Sequence, residues 1–278
     1  AGGVIATLEN SAQRAALVQA QGSYEAALAT SAQSAVGVNE AGTAVSSAKN
    51  NLISTLRGGY NSSNSAITGN IDQFFSNPNS YVPGLKINSS GRATEFNDLR
   101  VEFQKILPEW SARTSSLSPT SDLSVEASYA KTNLNKTIQF CDMFIATFAR
   151  HDGSAAYTDE QLKAYVQSFS ALKSSLLQSV AAIETAESQL QNAKDSEIRA
   201  GVSAGSGTVS ASGAQIKIAL GSLQAAQSAY QKTIVRSPIQ GVVNALYLKT
   251  GDYVSPGQPA AIIANNNGLQ IKTFISEI

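Results

Sequence analysis

The sequence has a single cysteine, Cys141, and a single histidine, His151, among its 278 residues. One thiol excludes an internal disulfide framework. One imidazole leaves no zinc-type ligand spacing, and no Ser-His or Cys-His pair beyond His151 itself. Charge is also scarce, at 14% of residues, and 20 Lys+Arg balance 20 Asp+Glu. Without a basic excess the chain lacks the means to neutralise phosphates, so nucleic acid is not an expected partner. No apolar run approaches the ~18–20 residues that cross a bilayer. The opening Ala1-Gly2-Gly3 is not a basic and apolar leader, and Ile278 falls inside what reads as a strand. A signal peptide or membrane anchor is therefore expected to lie outside these residues.

Small residues are plentiful instead: 41 Ala and 38 Ser make up more than a quarter of the chain. Leu17, Tyr24, Ser31, Val38, Val45 and Leu52 recur at one heptad position, with Ala20, Ala27, Ser34, Ala41 and Ala48 three residues on. An a/d seam whose second position is only Ala or Ser suits two helices in close approach. Ile216, Leu220, Leu223, Gln227, Tyr230 and Ile234 supply the stripe of a second limb. If a hairpin begins near Asn10 and ends near Gln231, the Gly- and Ser-rich residues 201–213 face the small residues of 28–40. That pairing favours helix over linker, although each glycine costs about 1 kcal/mol in a helix.

Eight of the nine Phe, and the only Trp, lie between residues 74 and 169. A second, wider core is expected there. Breakers at Gly58-Gly59, Asn77–Gly84, Leu117–Asp122 and His151–Ser154 leave helical segments of about 60–75, 93–116, 122–149 and 158–199. Two geometries suit these segments: a four-helix bundle, or one long kinked hairpin with its tip at 118–121. The aromatic content favours the bundle. After Thr233 the period changes to that of strands, with four apolar runs punctuated by Gly241, Thr250-Gly251-Asp252 and Ser255-Pro256-Gly257. Pro followed by Gly is a type II turn signal, and a small all-β domain follows. Leu269, Ile271 and Phe274 begin a further strand run.

Few residues invite chemistry. His151-Asp152-Gly153 reads as a solvated turn, Cys141 between Phe140 and Phe144 as a small buried hydrophobe, and Gly205-Ser-Gly207 lacks the third glycine of a phosphate loop. Asp159-Glu160 is explained by a helix start, and Glu184 with Glu187 by an exposed face. Asn135-Lys-Thr137 fits a glycosylation acceptor by pattern alone. Within 76–91, Tyr81, Val82, Leu85 and Ile87 exceed the apolar needs of a turn, so a partner contact is considered there. No enzyme activity, cofactor or metal is expected.

The stretch Thr233–Ile263, through Thr233, Ile234, Ser237-Pro238, Gly241, Val243, Gly251, Asp252, Val254, Gly257, Gln258 and Ile262, resembles the second half of the lipoyl-like domain of the membrane fusion proteins, or periplasmic adaptor proteins, of bacterial export systems. Gly3-Val-Ile-Ala6-Thr-Leu8 looks like the end of the first half, and repeats the offsets of Gly257-Gln-Pro-Ala260-Ala-Ile262. In that family a helical hairpin separates the two halves. A true lipoyl carrier would place a modified Lys on the turn joining the halves. Lys232 and Lys249 do not occupy such a turn, which argues against a swinging-arm cofactor.

The residue pattern and the resemblance together lead to the expectation of a mainly α protein with a small all-β domain: a long antiparallel hairpin carrying a four-helix-bundle-like distal insert, read from the breakers and aromatic content, and a split lipoyl-like domain, implied by the resemblance. The expected divisions are 1–9 for the end of the first lipoyl half, 10–56 for limb 1, 57–199 for the helical middle, 200–232 for limb 2, 233–267 for the second half and 268–278 for the start of a β-barrel-like domain. The lipoyl-like turns fall at Pro238, Gly241, Gly251, Asp252 and Gly257. Implied partners are an inner-membrane transporter of ABC or RND/MFS type, further copies in a ring, commonly a hexamer, and in Gram-negative cells an outer-membrane channel. The implied place is the periplasm, anchored to the inner membrane. Many members carry Arg, Leu four residues on and Ser seven later at the hairpin tip, and Arg113, Leu117 and Ser124 share that spacing, which implies a docking site. Outside the family, a helical ligand sensor or a structural coiled coil of the cell envelope would suit the same residues.

Overall fold

A computed structural model describes residues 2–89, 91–150, 157–204 and 211–265. Over these residues the chain is mainly α-helical, with five α-helices and three small two-stranded antiparallel sheets. It divides into two units, Ala1–Val36 with Val202–Ile278, and Gly37–Gly201. His151 and its neighbours, Gly205-Ser-Gly207 and the run containing Leu269, Ile271 and Phe274 lie outside the described residues.

Helix α1 runs without interruption from Ser11 to Ser65. The expected break at Gly58-Gly59 does not occur. Gly59 is buried, and a Cβ there would stand 3.3 Å from Leu134 Cδ1 and 3.4 Å from Ile183 Cδ1. The glycine therefore serves close packing rather than chain reversal. The helix gives way to a π-helical turn, Ala66–Ile71, and a 3₁₀ turn, Asp72–Phe74. Strands β2 (Phe75–Ser76) and β3 (Gly84–Leu85) then close a short loop.

Helices α2 (Ala93–Ser116), α3 (Leu123–Ala149) and α4 (Asp159–Ala204) follow. Local chemistry starts two of them. Asp122 caps α3 by accepting from the N–H groups of Ser124 and Val125 at 3.2 and 3.4 Å, as an N-cap carboxylate does. Thr158 and Gln161 form a capping box on α4, each bonding the other's backbone N–H, at 3.3 and 2.9 Å.

In the second unit these helices run alternately up and down around one core. Tyr60 of α1 sets its ring edge-on to Trp110 of α2 at 5.7 Å, and Arg57 donates to the carbonyls of Thr114 and Leu117 at 3.1 and 3.3 Å. Phe103 stacks on Phe140 at 6.1 Å between α2 and α3. Lys131 and Lys173 form ion pairs with Glu187 and Asp142, both at 2.7 Å, between α3 and α4. Asn51 donates to Gln189 at 3.0 Å, and Ser179 to Ser62 at 3.2 Å, between α1 and α4. A kinked single hairpin with its tip at 118–121 would hold Tyr60 and Trp110 far apart. The α2–α3 pair instead folds back along α1.

The first unit holds β1 (Val4–Thr7), the opening turns of α1, α5 (Ala211–Gln231) and strands β4 (Ile234–Arg236), β5 (Val242–Leu246) and β6 (Ala261–Ala264). Strand β1 pairs antiparallel with β4, and β5 with β6. Tyr253-Val254, expected as a strand run, joins no ladder; three strands, not four, form between Thr233 and Ala264. Gly241 is required by crowding: a Cβ would stand 2.8 Å from the carbonyl carbon of Ala264, and closer to its oxygen. Gly241→Ala is expected to destabilise the β5–β6 ladder by about 1–3 kcal/mol. Faster amide hydrogen exchange across Val242–Leu246, with the aromatic core unchanged, checks this.

Candidate functional site

The spacing Arg113, Leu117, Ser124 does bring three residues to one place, the α2–α3 turn, yet each is occupied by its own fold. Arg113 donates to Glu109 and Glu126 at 3.0 and 3.1 Å and lies 4.5 Å over the ring of Tyr129. The Glu109 hydrogen bond raises its already high pKa further. Burial raises the Tyr129 phenol, and the Glu109 carboxylate adds to this. Leu117 is only 8% exposed and belongs to the core. The backbone N–H of Ser124 is spent on the Asp122 cap. Because α2 and α3 fold back, this turn lies beside Lys49, Leu52 and the Glu187–Lys194 segment, which together bound a groove of about 510 Å³. The end of the unit near Phe74 is where Tyr157 stands, 6.5 Å away from it.

Two of the glycines expected at turns, Gly251 and Gly257, take the backbone geometry that glycine favours. Gly251 (φ +93°) and Gly257 (φ +88°) are the third residues of turns closed by Asp252 N–H to Lys249 O and Gln258 N–H to Ser255 O, both at 3.1 Å. Positive φ at that position is the type II requirement that Gly meets without strain. The Asp252 carboxylate accepts the Lys249 N–H at 2.8 Å, and the Ser237 hydroxyl donates across Pro238 to Ile239 O at 2.6 Å. Residues Ile5–Glu9, Leu246 and Leu248–Val254 line a cleft of about 660 Å³.

Elsewhere the structure gives structural roles. Asp159 and Glu160 occupy the first turn of α4, and Glu187 is paired with Lys131. Thr137, of the Asn135-Lys-Thr pattern, is buried and bonded to Ser63 at 2.6 Å. Burial pushes the Cys141 thiol up to about 12, so thiolate is negligible at neutral and mildly alkaline pH. Cys141 is expected to resist aromatic disulfide reagents at pH 8 in the folded chain and to react promptly in denaturant; prompt labelling of the native protein would contradict its burial.

Two features were not anticipated from sequence. Arg100, with a side chain 3% exposed, pairs with Asp72 through Nε and Nη2, the latter at 2.9 Å, and with Asn79 at 3.2 Å. Its signal was an arginine inside the apolar stripe Phe96, Phe103, Leu107. The second is the hydrogen bonding of the loop between β2 and β3 by Arg100 and Gln104, while its Tyr81 and Val82 are 92% and 78% exposed.

Among the described residues no group of three or more His, Cys, Asp or Glu could hold a metal ion, and no helix is long and apolar enough to cross a membrane. Comparison of the chain with protein-family models, with curated proteins and with solved structures finds no match in any of the three.

Proposed function

We propose that the chain is the helical and lipoyl-like core of an adaptor subunit in a bacterial export system, a scaffold linking an inner-membrane transporter to a further envelope partner. The observation that carries this reading is the pairing of β1 with β4. Ala6 lies opposite Val235 and Thr7 opposite Ile234, so strands on either side of the whole helical insertion share one ladder. Leu8 N–H to Thr233 O and Gly2 N–H to Ser237 O, both 2.8 Å, extend the pairing at its ends. A β domain interrupted by a helical excursion is the arrangement the resemblance implies.

The hairpin is supported unit by unit. In the first, Leu17 of α1 borders the same cleft as Gln224, Ser228 and Gln231 of α5. In the second, Asn51 meets Gln189 and Ser62 meets Ser179. The work of such a subunit is mechanical: the β domain associates with copies and transporter, and the helices carry a rigid, aromatic-cored unit to its partner. The test is affinity purification of the full-length protein from detergent-solubilised envelopes of its own source. A transporter subunit recovered in fixed proportion is the expected result; a chain recovered alone, as a monomer, would remove the reading.

A further inference from the structure

The loop Asn77–Pro83 is uncharged, aromatic-tipped and held from beneath. Gln104 Nε2 donates to the carbonyls of Pro78 and Ser80 at 2.8 and 2.6 Å, and Arg100 Nη2 donates to Asn79 Oδ1 at 3.2 Å. Within the loop, Ser80 N–H bonds Asn77 O at 2.8 Å and Val82 N–H bonds Ser80 Oγ at 3.3 Å. At its base, Ser76 Oγ donates to Gly84 O at 2.9 Å and β2 pairs with β3. A single exposed apolar residue needs no explanation. Here, however, the ordering of Arg100 and Gln104 side chains fixes a loop whose two largest side chains, Tyr81 and Val82, contribute nothing to the core. Fixing a contact loop beforehand lowers the entropy lost on binding, and Tyr in a central position is a frequent anchor of interfaces.

Charge decides the class of partner. No Asp, Glu, Lys, Arg or His lies between Gln73 and Leu85. The flanking charges are engaged: Asp72 by Arg100, and Lys86 Nζ by Gln73 O at 3.1 Å. Anionic lipid surfaces are recognised by free Lys and Arg, and acidic or basic protein surfaces by opposite charge. An electroneutral loop tipped by Tyr and Val complements an uncharged apolar socket.

We infer that Tyr81 and Val82 are the anchor by which the second unit docks into an apolar socket on a partner protein. This rests on the adaptor reading, because the partner meant is a protein recovered with the full-length chain in the purification described above. The test places a photocrosslinking phenylalanine analogue at Val82, with Ser115 as control position, and measures partner recovery for Tyr81→Ala and Tyr81→Asp. Both side chains are solvent-exposed, so circular dichroism of the variants should match wild type. Expected are a crosslink from position 82 alone, mapped by mass spectrometry to an uncharged apolar surface of the partner, and a loss of affinity of about thirty-fold in Tyr81→Asp.

If wild type recovers the partner and both Tyr81 variants do so equally, the docking assignment is overturned while the adaptor reading stands. A crosslink only to a second copy of the chain overturns it in favour of self-association. Tyr81-dependent binding to phosphatidylethanolamine–phosphatidylglycerol vesicles overturns it in favour of a membrane. If wild type recovers no partner at all, the adaptor reading fails and the docking assignment with it.

Discussion

Phe144→Ala is expected to destabilise the second unit by about 3–5 kcal/mol, the range for deleting a buried aromatic ring. The ring is fully buried and central, with Phe96 edge-on at 4.8 Å, Phe169 stacked at 4.8 Å, Phe74 at 5.2 Å and Phe140 at 5.5 Å. Phe148 and Phe75 complete the shell at 5.7 and 6.5 Å. Removing it strips contacts from four elements at once, and ring faces held by stacking cannot collapse inward without losing their own partners. Urea unfolding followed by Trp110 fluorescence gives the free energy, and a loss below about 1 kcal/mol would show that the site relaxes. The same variant separates two functions. A thermal shift produced by small apolar ligands in wild type, and absent in Phe144→Ala, would identify this core as a ligand pocket rather than as the stiffening of a scaffold.

Asp72→Ala is expected to cost about as much, roughly 3–5 kcal/mol, for a different reason. The Arg100 side chain has almost no access to water, so loss of the carboxylate leaves a buried guanidinium with Asn79 as its one remaining side-chain acceptor among the described residues. Nη1 already has no partner there. The penalty belongs to the stranded charge rather than to the pair, so combining Asp72→Ala with Arg100→Met should recover much of the loss. A double variant no more stable than Asp72→Ala alone would contradict this, as would a single variant within about 0.5 kcal/mol of wild type.

The elements visible in the sequence are those whose causes are local. Proline and glycine punctuation at Asn77–Gly84 and Leu117–Asp122, with a capping Asp at the second, marks the ends of helices that appear close to those places. Gly251 and Gly257 announce their turns because positive φ is a property of one residue. What the sequence hides is long-range. Gly58-Gly59 reads as a break until Leu134 and Ile183 are set against Gly59. The Arg100–Asp72 pair joins a helix to a turn well before it in the chain, leaving only an arginine in an apolar stripe as a trace. The spacing of Arg113, Leu117 and Ser124 is real, but spacing carries no information on the burial of Leu117 or the three groups holding Arg113. Arithmetic along one hairpin places that turn at the far tip. The contact of Tyr60 with Trp110 returns it to the side of α1.

These placements leave the adaptor proposal resting on the β1–β4 ladder rather than on a tip motif. The most direct test is the native mass of the full-length protein gently solubilised from its own envelope. The proposal predicts several copies of the chain bound to one transporter in a single discrete mass. A discrete monomer, with no transporter bound under conditions that keep other envelope complexes intact, would contradict it.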